Sequence, residues 1–204
     1  MEILKKPLYS KNYIVTIAIG NEYVKNFKKF SLPTWITYCE KNDLGIIIFT
    51  KPLIENNSER WKKATWQKLL IGNYIKEKNI EVNNICYLDT DILINHYSPN
   101  IFKFYDEKTF GLVSQYRNIP FPLLEVQKRI AFNRHHFYDK RYPLDSALFM
   151  TPEQIFQSMN LKKFNNYACA GLIMFNLENH SELMKSWFEK YPSNVKSVTG
   201  GDEP

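Results

Sequence analysis

Apolar and polar positions fall in blocks along the chain, and block length separates strands from helices. Residues 13–19 (Tyr-Ile-Val-Thr-Ile-Ala-Ile) form a β-rich apolar run that stops at Gly20. Such a run predicts a strand buried on both faces. Asn21 then offers an N-cap for a helix reaching about Glu40, disturbed at Pro33. Asp43-Leu44-Gly45 predicts a turn, and residues 46–49 (Ile-Ile-Ile-Phe) a second buried strand. Strand, helix, strand in that order is a βαβ unit, so a parallel sheet is expected.

The pattern continues in the same style. Ser58 offers a cap for a helix over about Glu59–Lys78, in which Trp66, Leu70 and Tyr74, with Ile71 and Ile75, recur at helical spacing. Residues 85–88 (Ile-Cys-Tyr-Leu) predict a third strand, and residues 110–114 a fourth. Residues 116–150 hold Pro120, Pro122 and Pro143 and read as a loop-rich region with one helix near 123–132. Thr151-Pro152-Glu153 reads as a helix start, residues 168–175 as a strand and residues 181–191 as a helix. The fold class expected is α/β, with a mostly parallel central sheet flanked by helices and no linker.

Composition narrows the class without deciding the function. Aromatic residues make up 15% of the chain and Gly only 7 positions, which excludes disordered and collagen-like classes. No apolar run approaches the ~18 residues of a membrane span, so no transmembrane segment is expected. Peripheral membrane contact stays open. Lys and Arg number 27 against 21 Asp and Glu, a net charge of +6 that suits an anionic partner. The basic residues are dispersed in pairs such as Lys28-Lys29 and Lys62-Lys63, so no nucleic-acid stripe is expected. Cys39, Cys86 and Cys169 are far apart and lack zinc or redox spacing. With no signal-peptide pattern in Met1–Pro7, they predict reduced thiols and a cytoplasmic protein.

The sharpest chemistry lies in Tyr87-Leu88-Asp89-Thr90-Asp91-Ile92-Leu93-Ile94. Two carboxylates stand two residues apart just past a buried strand, where i and i+2 side chains share a face. Held close, they repel unless a proton or a cation intervenes. Hard oxygen ligands suit Mg²⁺ or Mn²⁺. The C-terminal edge of a parallel strand is also where open α/β sheets bind ligands. Asp89 and Asp91 are therefore the expected metal ligands.

Strand, Asp-x-Asp and apolar run together resemble the signature of metal-dependent GT-A glycosyltransferases, most nearly the glycosyltransferase family 8 pattern. Three further segments are similar in order and rough spacing. Ile14–Gly20 followed by Asn21-Glu22-Tyr23 resembles the strand whose end cradles the nucleotide base. Trp66–Ile75 resembles the family's helix before the metal motif, with Lys68 at its donor-binding Arg or Lys. Tyr167–Asn176 resembles its Asn-Ala-Gly-apolar-Phe-Asn strand, although Cys169 stands where Asn is usual. The resemblance implies a GT-A-like nucleotide-diphospho-sugar transferase fold over residues 1–204 as one catalytic domain. Its nucleotide-binding half would be about 10–115 and its acceptor-side half about 116–204, with truncation at the C-terminus left open. It also implies a nucleotide-sugar donor, UDP-sugar favoured, and a saccharide or other hydroxyl acceptor. Ala18, Gly20, Tyr23, Lys68, Asp89, Ala170 and Gly171 would contact the donor. Asp202-Glu203 stands at the family's Asp-Gln pair, and its third metal ligand, a His further on, has no counterpart among the 204 residues.

An inverting enzyme needs a general base beside the acceptor hydroxyl, which Asp202 or Glu203 would supply. A retaining enzyme does not, and the sequence leaves both open. The aromatic and Arg-rich stretch Tyr116–Met150 is a candidate acceptor loop. His135-His136 are adjacent and do not face one site on a helix or strand. Other readings stay open: a haloacid-dehalogenase-type phosphatase, a sugar-1-phosphate nucleotidyltransferase, and a sugar-nucleotide or carbohydrate-binding protein without turnover.

Overall fold

A computed structural model describes residues 1–114 and 168–190 continuously, with isolated positions between Pro122 and Lys162. The chain divides into two compact units, Met1–Leu112 with Gly171–Tyr191, and Val113–Ala170 with Pro192–Pro204. The first unit is described below. Six strands form one sheet: β1 (Glu2–Lys5), β2 (Asn12–Ile17), β3 (Gly45–Phe49), β4 (Asn84–Leu88), β5 (Gly111–Ser114) and β6 (Ala168–Asn176), in the order β1-β3-β2-β4-β6-β5.

The sheet is mixed, so the expectation of a mostly parallel one is met only in its centre. β2 runs parallel to β3 and to β4, whereas β1 pairs antiparallel with β3 and β6 antiparallel with β4. The parallel core follows from the apolar runs. Tyr13, Val15, Ile17, Ile47, Phe49, Ile85 and Tyr87 face one layer, and Ile14, Ala18, Ile46, Ile48, Cys86 and Leu88 the other. A strand covered on both faces has no polar position to spare, so its sequence reads as continuous. Ile14, Ile46, Ile47, Ile48 and Ile85 are each at most 1% exposed, and burying each contributes roughly 1.5–3 kcal/mol.

One face of the sheet carries a helical segment built in three parts: α1 (Asn21–Asn26), a π-helical turn (Phe27–Ser31) and α2 (Leu32–Asn42). Gly20, not Asn21, is its N-cap, at φ +107°, and no side chain caps the start. That backbone conformation strains any residue with a Cβ. Pro33 lacks the N–H that an α-helix would need, and the wider turn just before it absorbs the missing bond. The segment ends at Asp43 in the left-handed region, whose carboxylate accepts the backbone N–H groups of Leu8, Tyr9 and Ser10.

The opposite face carries α3 (Ala64–Gln67), a 3₁₀ turn (Lys68–Leu70), α4 (Ile71–Glu77) and α5 (Leu177–Lys190). The helix expected from Glu59 thus begins at Ala64 and is broken in the middle. Ser58 closes a local turn instead, its hydroxyl accepting the Arg60 N–H and its carbonyl the Trp61 N–H. Gly72 of α4 lets α5 approach, because a Cβ there would lie 2.9 Å from the Ser181 Cβ. The segments expected near 123–132 and after Thr151 fall largely outside the described residues. No helix among the described residues is long and apolar enough to cross a membrane.

Candidate active site

The chain leaves β2 toward β3 on one side and returns to β4 on the other. The neighbouring C-terminal ends of β2 and β4 are therefore the point where strand order reverses, and such a point leaves a crevice. A cleft of about 760 Å³ occupies it, within the range of small-molecule sites. Ile17 and Ile19 enter from the end of β2, Tyr87, Asp89, Thr90 and Asp91 from the end of β4. Tyr23, Phe27, Phe30 and Ser31 form the helical wall, and Ala64, Thr65 and Leu93 complete the lining with Asn26.

The acidic residues stand just past a strand, as expected, but on a turn rather than in a continued pleat. β4 ends at Leu88, and Asp89–Ile92 is a turn closed by the Ile92 N–H donating to the Asp89 carbonyl at 3.2 Å. The turn, rather than a pleat, brings both carboxylates to one cleft. Its backbone is held from three directions. Asp89 N–H donates to the Gly171 carbonyl of β6 at 3.0 Å. Thr16 Oγ1 of β2 donates to the Leu88 carbonyl at 2.7 Å. From the helical segment, Ser31 Oγ donates to the Thr90 carbonyl (2.7 Å) and Trp35 Nε1 to the Ile92 carbonyl (2.8 Å), while Thr34 Oγ1 accepts the Ile94 N–H (3.1 Å). Each bond contributes only about 1 kcal/mol net, but together they fix where the carboxylates start.

The side chains are held less tightly. Asp89 is half-buried, and its Oδ1 accepts the Tyr87 hydroxyl at 2.8 Å. Asp91 is exposed and makes no hydrogen bond or ion pair with a described residue. Two acidic groups on one turn are a donor set for a hard divalent cation. No third His, Cys, Asp or Glu joins them among the described residues. That set fits Mg²⁺ or Mn²⁺, which keep several water or phosphate oxygens beside one or two carboxylates.

Of the other expected donor contacts, Tyr23 lines the cleft and is 65% exposed. Gly20 forms the strand-to-helix corner beside it. Ala18 is buried in the layer of Phe27 and Trp35, and its N–H donates to the Phe49 carbonyl. Gly171 reaches the acidic turn through its carbonyl, and Ala170 lies in β6. Lys68 is 2% exposed and absent from the cleft wall formed by the described residues; its Nζ sits 4.8 Å above the Tyr87 ring. Asp202, Glu203 and nearly all of Tyr116–Met150 lie outside the described residues. The sequence reading passed over Tyr87, Phe27, Phe30 and Ser31. For Tyr87 the signal was present, since it precedes Asp89 by two positions and shares its side of the chain.

Other buried titratable groups among the described residues lie outside the cleft lining. Burial pushes the Cys39 and Cys86 thiols up to about 12. His180 Nδ1 accepts the Asn176 N–H at 3.0 Å, and its ring lies 4.3 Å from that of Phe110. Lys62 donates to the Phe188 carbonyl near the end of α5, and desolvation lowers its pKa.

No family model matches the chain, and no curated protein does. Among solved structures it is similar to the crystal structure of a glycosyltransferase involved in the glycosylation of the major capsid of PBCV-1. The TM-score is 0.51 at 12% identity, over 90% of this chain and 69% of that one. At that identity the likeness is one of architecture: a mixed α/β sheet flanked by helices, of the kind found in a glycosyltransferase.

Proposed function

We propose that this chain is a metal-dependent glycosyltransferase of the GT-A type, allied to glycosyltransferase family 8. It would move a sugar from a nucleotide-diphosphate donor, UDP-sugar favoured, to a saccharide or other hydroxyl acceptor. The observation that carries this reading is the acidic turn: Asp89 and Asp91 open together into a roomy cleft at the switch point of the sheet.

The two halves of the cleft suit the two halves of a sugar nucleotide. Tyr23 and Phe30 offer exposed aromatic surface to a planar base, backed by Ile17, Ile19 and the buried Phe27. Asp89 and Asp91 would hold Mn²⁺ or Mg²⁺ at the other end. When bound, such a cation stabilises negative charge on a departing diphosphate. The chain's own contribution is positional. Ser31, Thr34 and Trp35 hold the turn, and Thr16 and Gly171 fix the strand end from which it departs. A turn backbone fixed in advance needs little reorganisation when the donor arrives. Asp202 or Glu203 is proposed as the acceptor-side carboxylate. The free, buried thiols Cys39 and Cys86 support a cytoplasmic setting.

Calorimetry with UDP, GDP and their sugars, with and without Mn²⁺, tests the reading. The expected result is manganese-dependent binding of one nucleotide, lost in Asp91→Ala, together with release of nucleoside diphosphate from the cognate donor. Binding that ignores both Mn²⁺ and Asp91→Ala would remove the proposed ligands. Binding without any turnover would leave a sugar-nucleotide binder.

A further inference from the structure

Lys68, Tyr87 and Asp89 form a line from the interior to the cleft. Lys68 lies on the 3₁₀ turn between α3 and α4, with its side chain 2% exposed. Its Nζ stands 4.8 Å from the centroid of the Tyr87 ring. Tyr87 is 4% exposed, packs in the layer of Val15, Ile17, Ile85 and Ile173, and still reaches the cleft wall. Its hydroxyl donates to Asp89 Oδ1 at 2.8 Å. A phenol whose ring is locked in a core is a rigid donor, so the oxygen it grips cannot swing with solvent. A cation on the ring face draws electron density from the ring. The phenol then donates more strongly to a carboxylate.

We propose that Tyr87 is a positioning residue for the acidic turn, and that Lys68 acts on the site through the Tyr87 ring. The proposal rests on the reading of Asp89 and Asp91 as cation ligands. Tyr87 commits Oδ1 of Asp89 to the protein and leaves Oδ2 to turn toward the cleft. Groups that orient a ligand from behind in this way commonly govern metal affinity by about 10- to 100-fold when removed.

The test is a double-mutant cycle on Mn²⁺ affinity, read by the loss of the free Mn²⁺ paramagnetic signal with UDP present, using wild type, Tyr87→Phe, Lys68→Met and the pair. UDP affinity without metal and the thermal midpoint are measured alongside. Tyr87→Phe keeps the ring and the core, so it is expected to lower Mn²⁺ affinity by roughly 10-fold or more while leaving metal-free UDP affinity unchanged. Lys68→Met is expected to weaken Mn²⁺ less, and to add nothing once Tyr87 is Phe. If Lys68→Met unfolds the chain, Lys68→Gln is put through the same cycle. Unaltered Mn²⁺ affinity in Tyr87→Phe overturns the role of Tyr87 while the metal site stands. Effects that multiply in the double variant overturn the route through Tyr87. Wild type that takes up no Mn²⁺ overturns the metal reading itself, and the inference with it.

Discussion

Polar side chains flank β4 at both ends, and the two ends use them oppositely. At the N-terminal end, Asn84 Nδ2 donates to Asn12 Oδ1 (3.0 Å) and to Glu107 Oε1 (2.7 Å), and Asn176 Nδ2 donates to Asn84 Oδ1 (3.0 Å). Asn176 Oδ1 then accepts the Asn179 N–H, and Asn179 Nδ2 returns to the Glu107 carbonyl. Amide donors meet amide, carboxylate and backbone acceptors, so the cluster closes on itself and stitches three strands together. At the C-terminal end, Asp89 and Asp91 present acceptors beside acceptors. Carboxylates cannot satisfy one another, and one tyrosine hydroxyl does not exhaust them. The same edge position becomes a staple when its groups complement each other, and a site when their shared demand points outward.

Substitutions at the two ends should separate accordingly. The largest effect is expected at the open end: Asp89→Ala with Asp91→Ala should abolish manganese-dependent nucleotide binding and leave the thermal midpoint within a few degrees of wild type. A drop in stability as large as the drop in binding would make this end structural too. At the closed end, Asn84→Ala strands the partners Asn12, Glu107 and Asn176. It should cost roughly 2–4 kcal/mol in urea unfolding with little change in nucleotide affinity once folded. Gly20→Ala, at the corner of the cleft, should cost about 1–3 kcal/mol, because no L side chain is at ease at φ +107°.

The smallest effect is electrostatic. Three backbone N–H groups hold the Asp43 carboxyl below the ordinary carboxylate range, that of Leu8 foremost. A carboxylate lowered on folding adds stability that is complete above its unfolded pKa and fades as pH falls through the folded one. Asp43→Asn should therefore flatten the acid limb of the stability curve below about pH 4 and change little at neutral pH, as followed by acid titration of the thermal midpoint.

What the chain discloses before folding follows the same division between local and distant causes. β2, β3 and β4 were legible because burial on both faces leaves unbroken apolar runs. β1 was not, since Glu2-Ile3-Leu4-Lys5 is a short edge strand whose charged ends blur the signal. The acidic turn was legible as a motif, but the convergence of its carboxylates was ascribed to the pleat and comes from a turn. Ser31, Thr34 and Trp35 could not be assigned, because their partners lie 57 to 60 residues away. The π-helical turn that ends at Ser31 left only Pro33 as its trace. For Lys68 the resemblance gave a place on the helix before the motif but no direction, and its Nζ lies 4.8 Å from the centroid of the Tyr87 ring.

The central claim, that the open end of the sheet holds a cation together with a nucleoside diphosphate, is tested most directly by crystals grown with Mn²⁺ and UDP and measured at the manganese absorption edge. The account predicts one anomalous peak within ligand distance of both Asp89 and Asp91, with the diphosphate against it and the base along the wall of Tyr23 and Phe30. Manganese bound elsewhere on the chain, or UDP seated without it, would contradict the account.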